Sequence, residues 1–260
     1  MKTNFIFPDT TLLITHYNRS SSLERLLSRL RELSCNFGAI IVSDDASDTE
    51  HLVRLEQLQR IYGLELVTAP VNKGLANCLN KGQDAVKTPY TLYIQEDFVP
   101  SAFFPQRLAD ARLIMNDHAD IDYIRFWSHY RFPTLKPFGK GFSETVYNPW
   151  IMNHLNFFMY SDNPHLRRSN FFSKFGRYIE GVKADVAEHN MAIRFIQKKG
   201  KGLFYDQYDT LFAHDQLDHE PSTANRADWR QSSHPLYLVF RSLYLKYKCL
   251  KCMYQVKYQA

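Results

Sequence analysis

One short apolar run that ends in two adjacent carboxylates limits the fold of this chain more than any other feature of its sequence. Residues 90–94 read Tyr-Thr-Leu-Tyr-Ile, as in a buried strand, and Glu96 and Asp97 follow almost at once. Buried carboxylates without partners are costly. At the carboxyl edge of a parallel sheet, however, they can serve a ligand. The pair therefore predicts an α/β sheet with a divalent metal site at that edge.

The first half of the chain alternates predicted strands with predicted helices. Strands are predicted at residues 10–15, 39–42, 64–67, 91–94 and 123–126. Apolar residues at helical spacing predict helices at residues 20–33, 48–62, 74–86 and 104–115. A serine cluster at the start of the first helix is expected to cap it. This alternation is typical of a mostly parallel, Rossmann-like sheet with helices on both faces.

Length and composition are compatible with one domain of this kind. The 260 residues are 45% apolar, which supports a sizeable core and argues against global disorder. No apolar run approaches the roughly 20 residues of a membrane-spanning helix. The N-terminus lacks the apolar segment of a signal peptide, so we expect a cytoplasmic protein. With four cysteines and one CxxC, at Cys249 and Cys252, neither a disulfide framework nor a zinc site is expected.

The second half is less regular. Residues 131–148, rich in Pro, Gly and aromatic residues, are predicted to form a loop or lid, and residues 156–160 an aromatic strand. A helix is predicted at residues 185–199. Residues 236–260 are aromatic and carry five basic side chains but no acid. This tail is expected to lie as a helix on an anionic membrane, or alternatively to pack its leucines and tyrosines onto the body.

Polar residues follow three of the predicted strands and open one helix. They lie at residues 15–19, 43–47, 72–74 and 95–100. Each segment alone is weak evidence, because two aspartates after a strand often form only a turn and a helix cap. Parallel strands, however, place their carboxyl ends on one edge. The four segments are therefore predicted to meet in one crevice.

With these motifs, residues 10–100 resemble the family-two glycosyltransferases of the GT-A fold, which build bacterial surface polysaccharides. The resemblance implies a single GT-A domain with a nucleotide-sugar half (8–128), an acceptor and catalytic half (129–235) and a tail (236–260). It implies that Asp44 binds the base and that the helix opened by Gly74 faces the diphosphate. The implied donor-binding residues are Thr15, Tyr17, Asn18, Arg19, Asp44, Asp45, Asn72, Lys73, Gly74 and Glu96.

The resemblance also implies a divalent cofactor, Mn²⁺ or Mg²⁺. Asp97 is predicted to bind it directly, and Glu96 to contact the ribose or the metal through water. The acidic motif departs from the frequent D-x-D-D pattern, because Ile94 stands at its first position. A late histidine often reaches the metal in GT-A enzymes, and His214 is predicted in this role, with His219 as a competitor.

A catalytic base is expected on a helix of the second half, because a sugar hydroxyl must lose its proton in the transition state. Asp185 and Glu188 share one helix face at i,i+3 spacing. Glu188 is the predicted base, Asp185 the second choice and Glu180 the third. An ordinary acidic first turn, favoured by the helix dipole, stays an alternative. Asp162 is predicted on the acceptor side, where it either binds a sugar hydroxyl or caps a following helix.

These features predict a glycosyltransferase that moves a sugar, with inversion, from a nucleotide diphosphate to a glycan or lipid-linked glycan. UDP is the expected nucleotide, and capsule or lipopolysaccharide synthesis the expected process. The tail predicts a peripheral protein on the inner face of the membrane, whereas no motif indicates nucleic-acid binding. Two alternatives stay open: a sugar-phosphate nucleotidyltransferase, although residues 15–19 lack the glycine of its phosphate loop, and a non-catalytic glycan-binding or scaffold subunit.

Overall fold

The computed structural model describes residues 3–214, 217, 220 and 235–258. Its strands are β1 (Phe5–His16), β2 (Cys35–Asp44), β3 (Glu65–Val67), β4 (Tyr90–Gln95), β5 (Phe98–Pro100), β6 (Tyr123–Arg125), β7 (Leu135–Gly139), β8 (Phe142–Thr145), β9 (His165–Arg168), β10 (Gly202–Tyr205) and β11 (Phe212–His214). Its α-helices are α1 (Ser20–Glu32), α2 (Thr49–Tyr62), α3 (Leu75–Ala85), α4 (Phe104–Asp117), α5 (Phe171–Phe175), α6 (Ala184–Gln197) and α7 (Pro235–Tyr258).

Nine of these strands form one sheet in the order β3-β2-β1-β4-β9-β6-β10-β8-β7. Strands β1 to β4 are parallel, whereas β9 is antiparallel to both of its neighbours. Side chains alternate between the two faces of β1, so Leu12 and Ile14 enter one core and Leu13 the other. Helices α1, α2 and α4 cover the first core, and α3, α5 and α6 cover the second. The predicted mostly parallel sheet with helices on both faces is confirmed.

The start of α1 differs from the sequence prediction. Arg19 occupies the N-cap position, and no side chain of the serine cluster caps the helix. The carboxylate of Glu220 does this instead, since it accepts hydrogen bonds from the backbone N–H groups of Ser21 and Ser22, both at 2.9 Å. These N–H groups lack partners within a helix, and a carboxylate there also suits the helix dipole. The cap is therefore a long-range contact.

Three predictions for the second half are wrong. Residues 131–148 include the hairpin of β7 and β8, which turns through three residues of positive φ, among them Gly141 at 81°. Most of β7 is exposed at the sheet edge, so the sequence lacks the apolar alternation of a half-buried strand. A 3₁₀ helix (His154–Phe157) replaces the predicted aromatic strand. The segment after Asp162 continues into strand β9 and not into a helix.

Strand β9 is unusual because a strongly polar strand occupies the middle of the sheet. Arg167 is fully buried, and its guanidinium donates to the hydroxyl of Tyr160 at 3.0 Å and to Oε1 of Gln83 at 2.9 Å. Buried charge of this kind needs several partners. The partners come from separate elements, which explains why the sequence pattern did not predict the strand.

The described part of the tail is the helix α7. Its Cys249 and Cys252 are buried in the second core, and Met253 and Val256 pack against that core. Among the leucines and tyrosines of α7 whose side chains are described, most are exposed, Leu243 among them, so packing of these side chains onto the body is wrong for most of that group. No described helix is long and apolar enough to cross a membrane.

Candidate active site

A cavity of about 640 Å³ opens at the carboxyl ends of β1 and β4 and at the N-termini of α3 and α6. The strand register explains this position, because Thr15 pairs with Gln95 and His16 with Asp44 at the ends of the parallel strands. We call this space the donor cavity. The predicted donor residues that line it are Thr15, Tyr17, Arg19, Asp45, Asn72, Gly74 and Glu96. The metal candidate Asp97 also lines it.

Asp45 connects two of the polar segments. Its carboxylate accepts hydrogen bonds from the backbone N–H groups of Lys73 at 2.9 Å and Gly74 at 2.7 Å. Gly74 has a φ of 83°, a backbone conformation that residues other than glycine rarely adopt, and it directly precedes α3. Asp45 therefore fixes the entry into α3. These two N–H groups already have a partner, contrary to the expectation that they are free for a diphosphate.

Asp44 has a structural position, in contrast to the predicted contact with the base. Its carboxylate is fully buried and does not line the donor cavity. His16 Nδ1 lies 2.8 Å from Oδ1 of Asp44, and the backbone N–H of Ser47 donates to Oδ2 at 3.0 Å. Burial opposes ionisation of Asp44, but these hydrogen bonds outweigh it and lower the pKa of the carboxyl. Asp44 thus holds the turn after β2.

Two further predicted donor residues do not line the cavity. The side chain of Asn18 exchanges hydrogen bonds with Asp48, at 3.0 Å to Oδ2 and at 2.7 Å from the backbone N–H. It therefore joins the loop after β1 to the start of α2. Lys73 is exposed beside the opening of α3. Asn72, the third residue of this region, does line the cavity.

The acidic pair is buried together with Arg19. The Arg19 guanidinium lies 2.9 Å from Oδ2 of Asp97 and 3.4 Å from Oε1 of Glu96. Burial, reinforced by the charge of Asp97, raises the pKa of Glu96 to about 8. Burial acts in the same direction on Asp97, but hydrogen bonds from His214 and Arg19 outweigh it and lower the pKa of that carboxyl. Asp97 is therefore the more acidic member of the pair.

His214 reaches this pair through a small separate sheet. Strands β5 and β11 are antiparallel and pair His214 with Phe98, the residue that follows the acidic pair. Nε2 of His214 lies 3.2 Å from Oδ2 of Asp97, and its ring stacks on Phe98 with 4.8 Å between centroids. The competing candidate, His219, lies outside the described residues.

The metal candidates present one open donor atom. Oδ1 of Asp97 is buried and has no hydrogen-bond partner among the described residues, so an atom that binds cations well is left unused there. His214 adds an imidazole nitrogen nearby, and a neutral imidazole is a common metal ligand. Within the described part of the chain, no group of three or more His, Cys, Asp or Glu side chains is arranged to hold a metal ion. The protein alone thus offers a partial ligand set.

The structure separates the three candidates for the catalytic base. Asp185, in the first turn of α6, is exposed and lines the donor cavity together with the acidic pair. Glu188 accepts hydrogen bonds from the hydroxyl of Ser161 at 2.8 Å and from the backbone N–H of Asp162 at 3.0 Å. Glu180 accepts hydrogen bonds from two asparagine side chains of α3. Only Asp185 of these three lines the cavity.

Asp162 does not face the donor cavity. It is buried, and its carboxylate accepts a hydrogen bond from the hydroxyl of Tyr178. Burial, reinforced by the charge of Glu188, raises the pKa of Asp162 to about 8. In the structure, Asp162 therefore contacts Tyr178 and is not placed to bind a hydroxyl of an acceptor in the donor cavity.

Sequence reasoning missed several residues of the site. His16 orients Asp44, Cys78 and Gln95 line the cavity, and the backbone carbonyl of Glu220 accepts a hydrogen bond from Arg19 at 3.2 Å. Val182 and its neighbours before α6 also contribute to the wall. His16 and Gln95 stand inside the polar strand ends, so their position was a usable signal. Glu220 had none, because its contacts come from tertiary structure.

Solved structures with the same fold show how this architecture is used elsewhere. S. aureus TarS 1-349 in complex with UDP-GlcNAc has a TM-score of 0.61 and 14% identity, over 91% of this chain and 66% of that one. S. aureus TarS has a TM-score of 0.59 and 15% identity, over 80% of this chain and 36% of that one. The mannosyltransferase PcManGT from Pyrobaculum calidifontis, in complex with GDP-Man and Mn²⁺, has a TM-score of 0.55 and 12% identity. The match covers 97% of this chain and 72% of that one.

The sequence comparison decides the family. The model described as "Glycosyl transferase family 2" matches residues 11–112, a region that begins within β1 and includes β2 to β4 and the acidic pair. Residues 11–112 belong to glycosyl transferase family 2. The predicted family and the GT-A fold are thereby confirmed, and together they support the predicted class of enzyme, a glycosyltransferase.

The extent of these matches limits what they say about this chain. The chain spans less than two thirds of the TarS chains that it matches. No curated protein matches it in sequence at a significant level.

Proposed function

We propose that this chain transfers a sugar from a nucleoside diphosphate-sugar to a hydroxyl group of a glycan or lipid-linked glycan. One observation carries this proposal: Asp185 and the pair Glu96–Asp97 line the same cavity from different elements, at the carboxyl edge of the sheet. A carboxylate on each side suits a displacement, because one side handles the leaving diphosphate and the other takes the proton of the attacking hydroxyl.

The donor would enter between the ends of β1 and β4. Tyr17 is half-buried at the cavity wall and offers an aromatic face to a base, while Asp45 and Asn72 offer oxygen atoms. UDP is the proposed nucleotide, as in the TarS complexes with UDP and with UDP-GlcNAc. With Asp44 enclosed in its turn, Asp45 is the better candidate for a direct contact.

A divalent ion, Mn²⁺ or Mg²⁺, is proposed at Asp97 and His214. The unpartnered Oδ1 of Asp97 would be one ligand and the imidazole of His214 a second, with Glu96 in support. Because the protein offers a partial ligand set, the oxygens of the donor diphosphate would complete it. Such an ion neutralises charge on a leaving diphosphate.

Asp185 replaces Glu188 as the proposed base, since Glu188 is engaged with the loop at Ser161. In one in-line step, the acceptor oxygen would bond to the anomeric carbon while the bond to the diphosphate oxygen breaks. Asp185 would receive the hydroxyl proton, and the configuration of the sugar would invert. Assembly of a bacterial surface polysaccharide, such as capsule or lipopolysaccharide, is the process proposed for this product.

The tail is proposed to place the enzyme on an anionic membrane. Exposed apolar and aromatic residues recur every three or four positions along α7: Phe240, Leu243, Tyr247, Leu250, Tyr254 and Tyr258. Lys246, Lys251 and Lys257 are also exposed. The opposite face, with Cys249 and Cys252, is buried against the body. A helix with one apolar exposed face and flanking lysines suits the interface of an anionic bilayer.

A binding and turnover experiment tests the proposed function. The full chain should bind UDP by isothermal titration calorimetry and slowly hydrolyse UDP-sugars when Mn²⁺ is present. Asp185→Asn should keep UDP binding but lose hydrolysis, whereas the exposed control Asp117→Asn should keep both. No binding of UDP or GDP with either Mn²⁺ or Mg²⁺ would refute the proposal.

A further inference from the structure

A second cavity, of about 260 Å³, lies in the second half of the molecule. Three of its lining residues are cations that come from distant parts of the chain: Arg125 in β6, Arg131 after it, and Lys248 in α7. Phe158 and Ser161 also contribute to the wall. We call this space the basic cavity. Aspartate and glutamate are absent from its described lining.

Arg125 is buried without a charged partner among the described residues. Its Nη2 donates to the backbone carbonyls of Phe158 and Met159, at 2.5 and 2.9 Å, and its Nε donates to the hydroxyl of Tyr123 at 3.0 Å. All of these acceptors are neutral, and the side chain is only 4% exposed. A buried guanidinium that lacks a counter-charge is unfavourable unless something else supplies one.

The other two cations of the basic cavity, Arg131 and Lys248, also lack a charged partner among the described residues. In the described ranges, neither Arg131 nor Lys248 forms an ion pair, and Lys248 lies over the ring of Phe158 at 5.6 Å from its centroid. The carboxylates of the adjoining segment have different partners: Glu188 bonds to Ser161, and Asp162 to Tyr178. Neither of these carboxylates forms an ion pair with a cation of the basic cavity.

The pKa of a nearby histidine, His165, is lowered in part by the same positive charge. His165 in β9 pairs with Arg125 in β6 and is fully buried. Burial and the charges of Arg167 and Arg125 hold the pKa of His165 well below its usual range. Nδ1 of the neutral imidazole donates to the backbone carbonyl of Asn163 at 2.7 Å, and Asn163 lines the basic cavity.

The basic cavity adjoins the acidic end of the donor cavity. His129 lines the basic cavity, and its ring lies 5.8 Å from that of His214, which in turn contacts Asp97. Ser161 lines it as well and donates to Glu188 on α6, the helix that brings Asp185 to the donor cavity. A molecule in the basic cavity would thus lie on the side from which an acceptor approaches.

We propose that the basic cavity binds a phosphate group of the acceptor. This inference rests on the proposed function, because it assigns an acceptor class to the same enzyme. Arginine offers a planar fork of N–H donors that matches phosphate oxygens, and lysine adds a mobile charge. A neutral glycan would leave the buried charge of Arg125 unbalanced. The phosphate belongs either to a lipid-linked diphosphate carrier or to a phosphodiester within a glycan chain.

Ligand-observed NMR on the full chain, with the donor cavity saturated by UDP and Mg²⁺, tests this inference. The probes are a short-chain prenyl phosphate for the lipid source and glycerol phosphate for the glycan source, each beside its dephosphorylated alcohol. We expect phosphate probes to bind and the alcohols to bind at least tenfold more weakly. Preference for the prenyl probe indicates the lipid source, preference for glycerol phosphate indicates the glycan source, and equal binding supports the shared phosphate site.

Charge-matched variants locate the site. Arg131→Gln/Lys248→Gln changes two residues that are not buried and should weaken phosphate binding at least tenfold, with UDP affinity unchanged. The control Lys136→Gln/Lys251→Gln removes the same charge at exposed positions outside the cavity and should stay within twofold. Arg131→Gln alone serves if the double variant unfolds. Equal phosphate binding in the wild type and in Arg131→Gln/Lys248→Gln would overturn the inference. A wild type that binds the phosphate probes but does not bind UDP would refute only the proposed function.

Discussion

Nε2 of His214 lies 3.2 Å from Oδ2 of Asp97, although 117 residues separate the two in the chain. The contact exists because β11 pairs with β5, the short strand directly after the acidic pair. Asp97 thus bonds to both Arg19 and His214 through one oxygen, while its other oxygen has no partner in the part of the chain that the structure describes. This division of the carboxylate leads to the first prediction.

Asp97→Asn should abolish the enhancement of UDP binding by Mn²⁺. An amide keeps the shape and part of the hydrogen bonding but is a weaker ligand than a carboxylate. We expect a loss of at least tenfold in affinity with the metal, about 1.4 kcal/mol, and little change without it. Isothermal titration with and without Mn²⁺ measures both values. Asp117→Asn is the control, and an unchanged metal effect in Asp97→Asn would remove Asp97 from the site.

Asp185→Asn should lower kcat by about 10² to 10⁴-fold and leave the Kd of UDP unchanged, because loss of a general base affects the chemical step. Glu188→Gln should keep most activity, since its Oε1 can still accept from Ser161 and the Asp162 amide. Steady-state kinetics with a transferable acceptor compares the two variants. The reverse order of effects would return the role of base to Glu188.

Asp44→Asn should destabilise the protein, whereas Asp45→Asn should weaken donor binding and also loosen the entry into α3. The Asp44 carboxylate is fully buried against His16 and Ser47, so we expect a loss of about 1–3 kcal/mol in the free energy of unfolding. Urea unfolding and UDP titration of both variants measure the two effects. If Asp44→Asn were as stable as wild type but unable to bind UDP, the original prediction of a base contact would be restored.

Asp162 should make the protein less stable as pH rises. Its folded pKa is about 8, above the ordinary value of about 3.9, so the folded state binds the extra proton between these values. Its contribution to stability is complete below about pH 4 and is lost as pH rises towards 8. Asp162→Asn should remove this decline. Its free energy of unfolding should exceed that of the wild type by on the order of a few kcal/mol between pH 5 and 8.

Urea unfolding of wild type and Asp162→Asn at several pH values gives this difference. Asp117→Asn, at an exposed position, should follow the wild-type pH dependence. Parallel curves for wild type and Asp162→Asn would show that the carboxyl of Asp162 titrates near its ordinary value.

The exposed face of α7 should control binding to anionic vesicles. Tyr247→Ser/Leu250→Ser/Tyr254→Ser should reduce sedimentation with such vesicles strongly at low salt, while the fold and UDP binding persist, since these side chains are exposed. Binding of the wild type should fall as salt rises, because the Debye length is about 8 Å at physiological salt. Point changes are preferable to truncation at Pro235, which would also remove the buried Cys249 and Cys252.

A control for this experiment changes exposed apolar residues elsewhere. Val53→Ser/Ile61→Ser on α2 removes apolar surface from another face. This variant should sediment like the wild type. Equal sedimentation of the α7 variant and the wild type would instead show that the tail is not the membrane contact.

The sequence by itself determined the local elements of the donor half and the edge at which its polar residues collect. Strand and helix periods depend on near neighbours in the chain, so Leu12, Leu13 and Ile14 already show a buried strand between two cores. The position of Glu96 and Asp97 after β4 follows from the same local pattern.

Only the tertiary structure decided which of the adjacent or equivalent side chains face the site. Asp44 and Asp45 look alike in sequence, but one turns into the protein and the other towards α3. Asp185 and Glu188 share one helix, yet the loop at Ser161 engages only Glu188. Contacts such as that between His214 and Asp97 join segments far apart, and local sequence carries no record of the loop paths that bring them together.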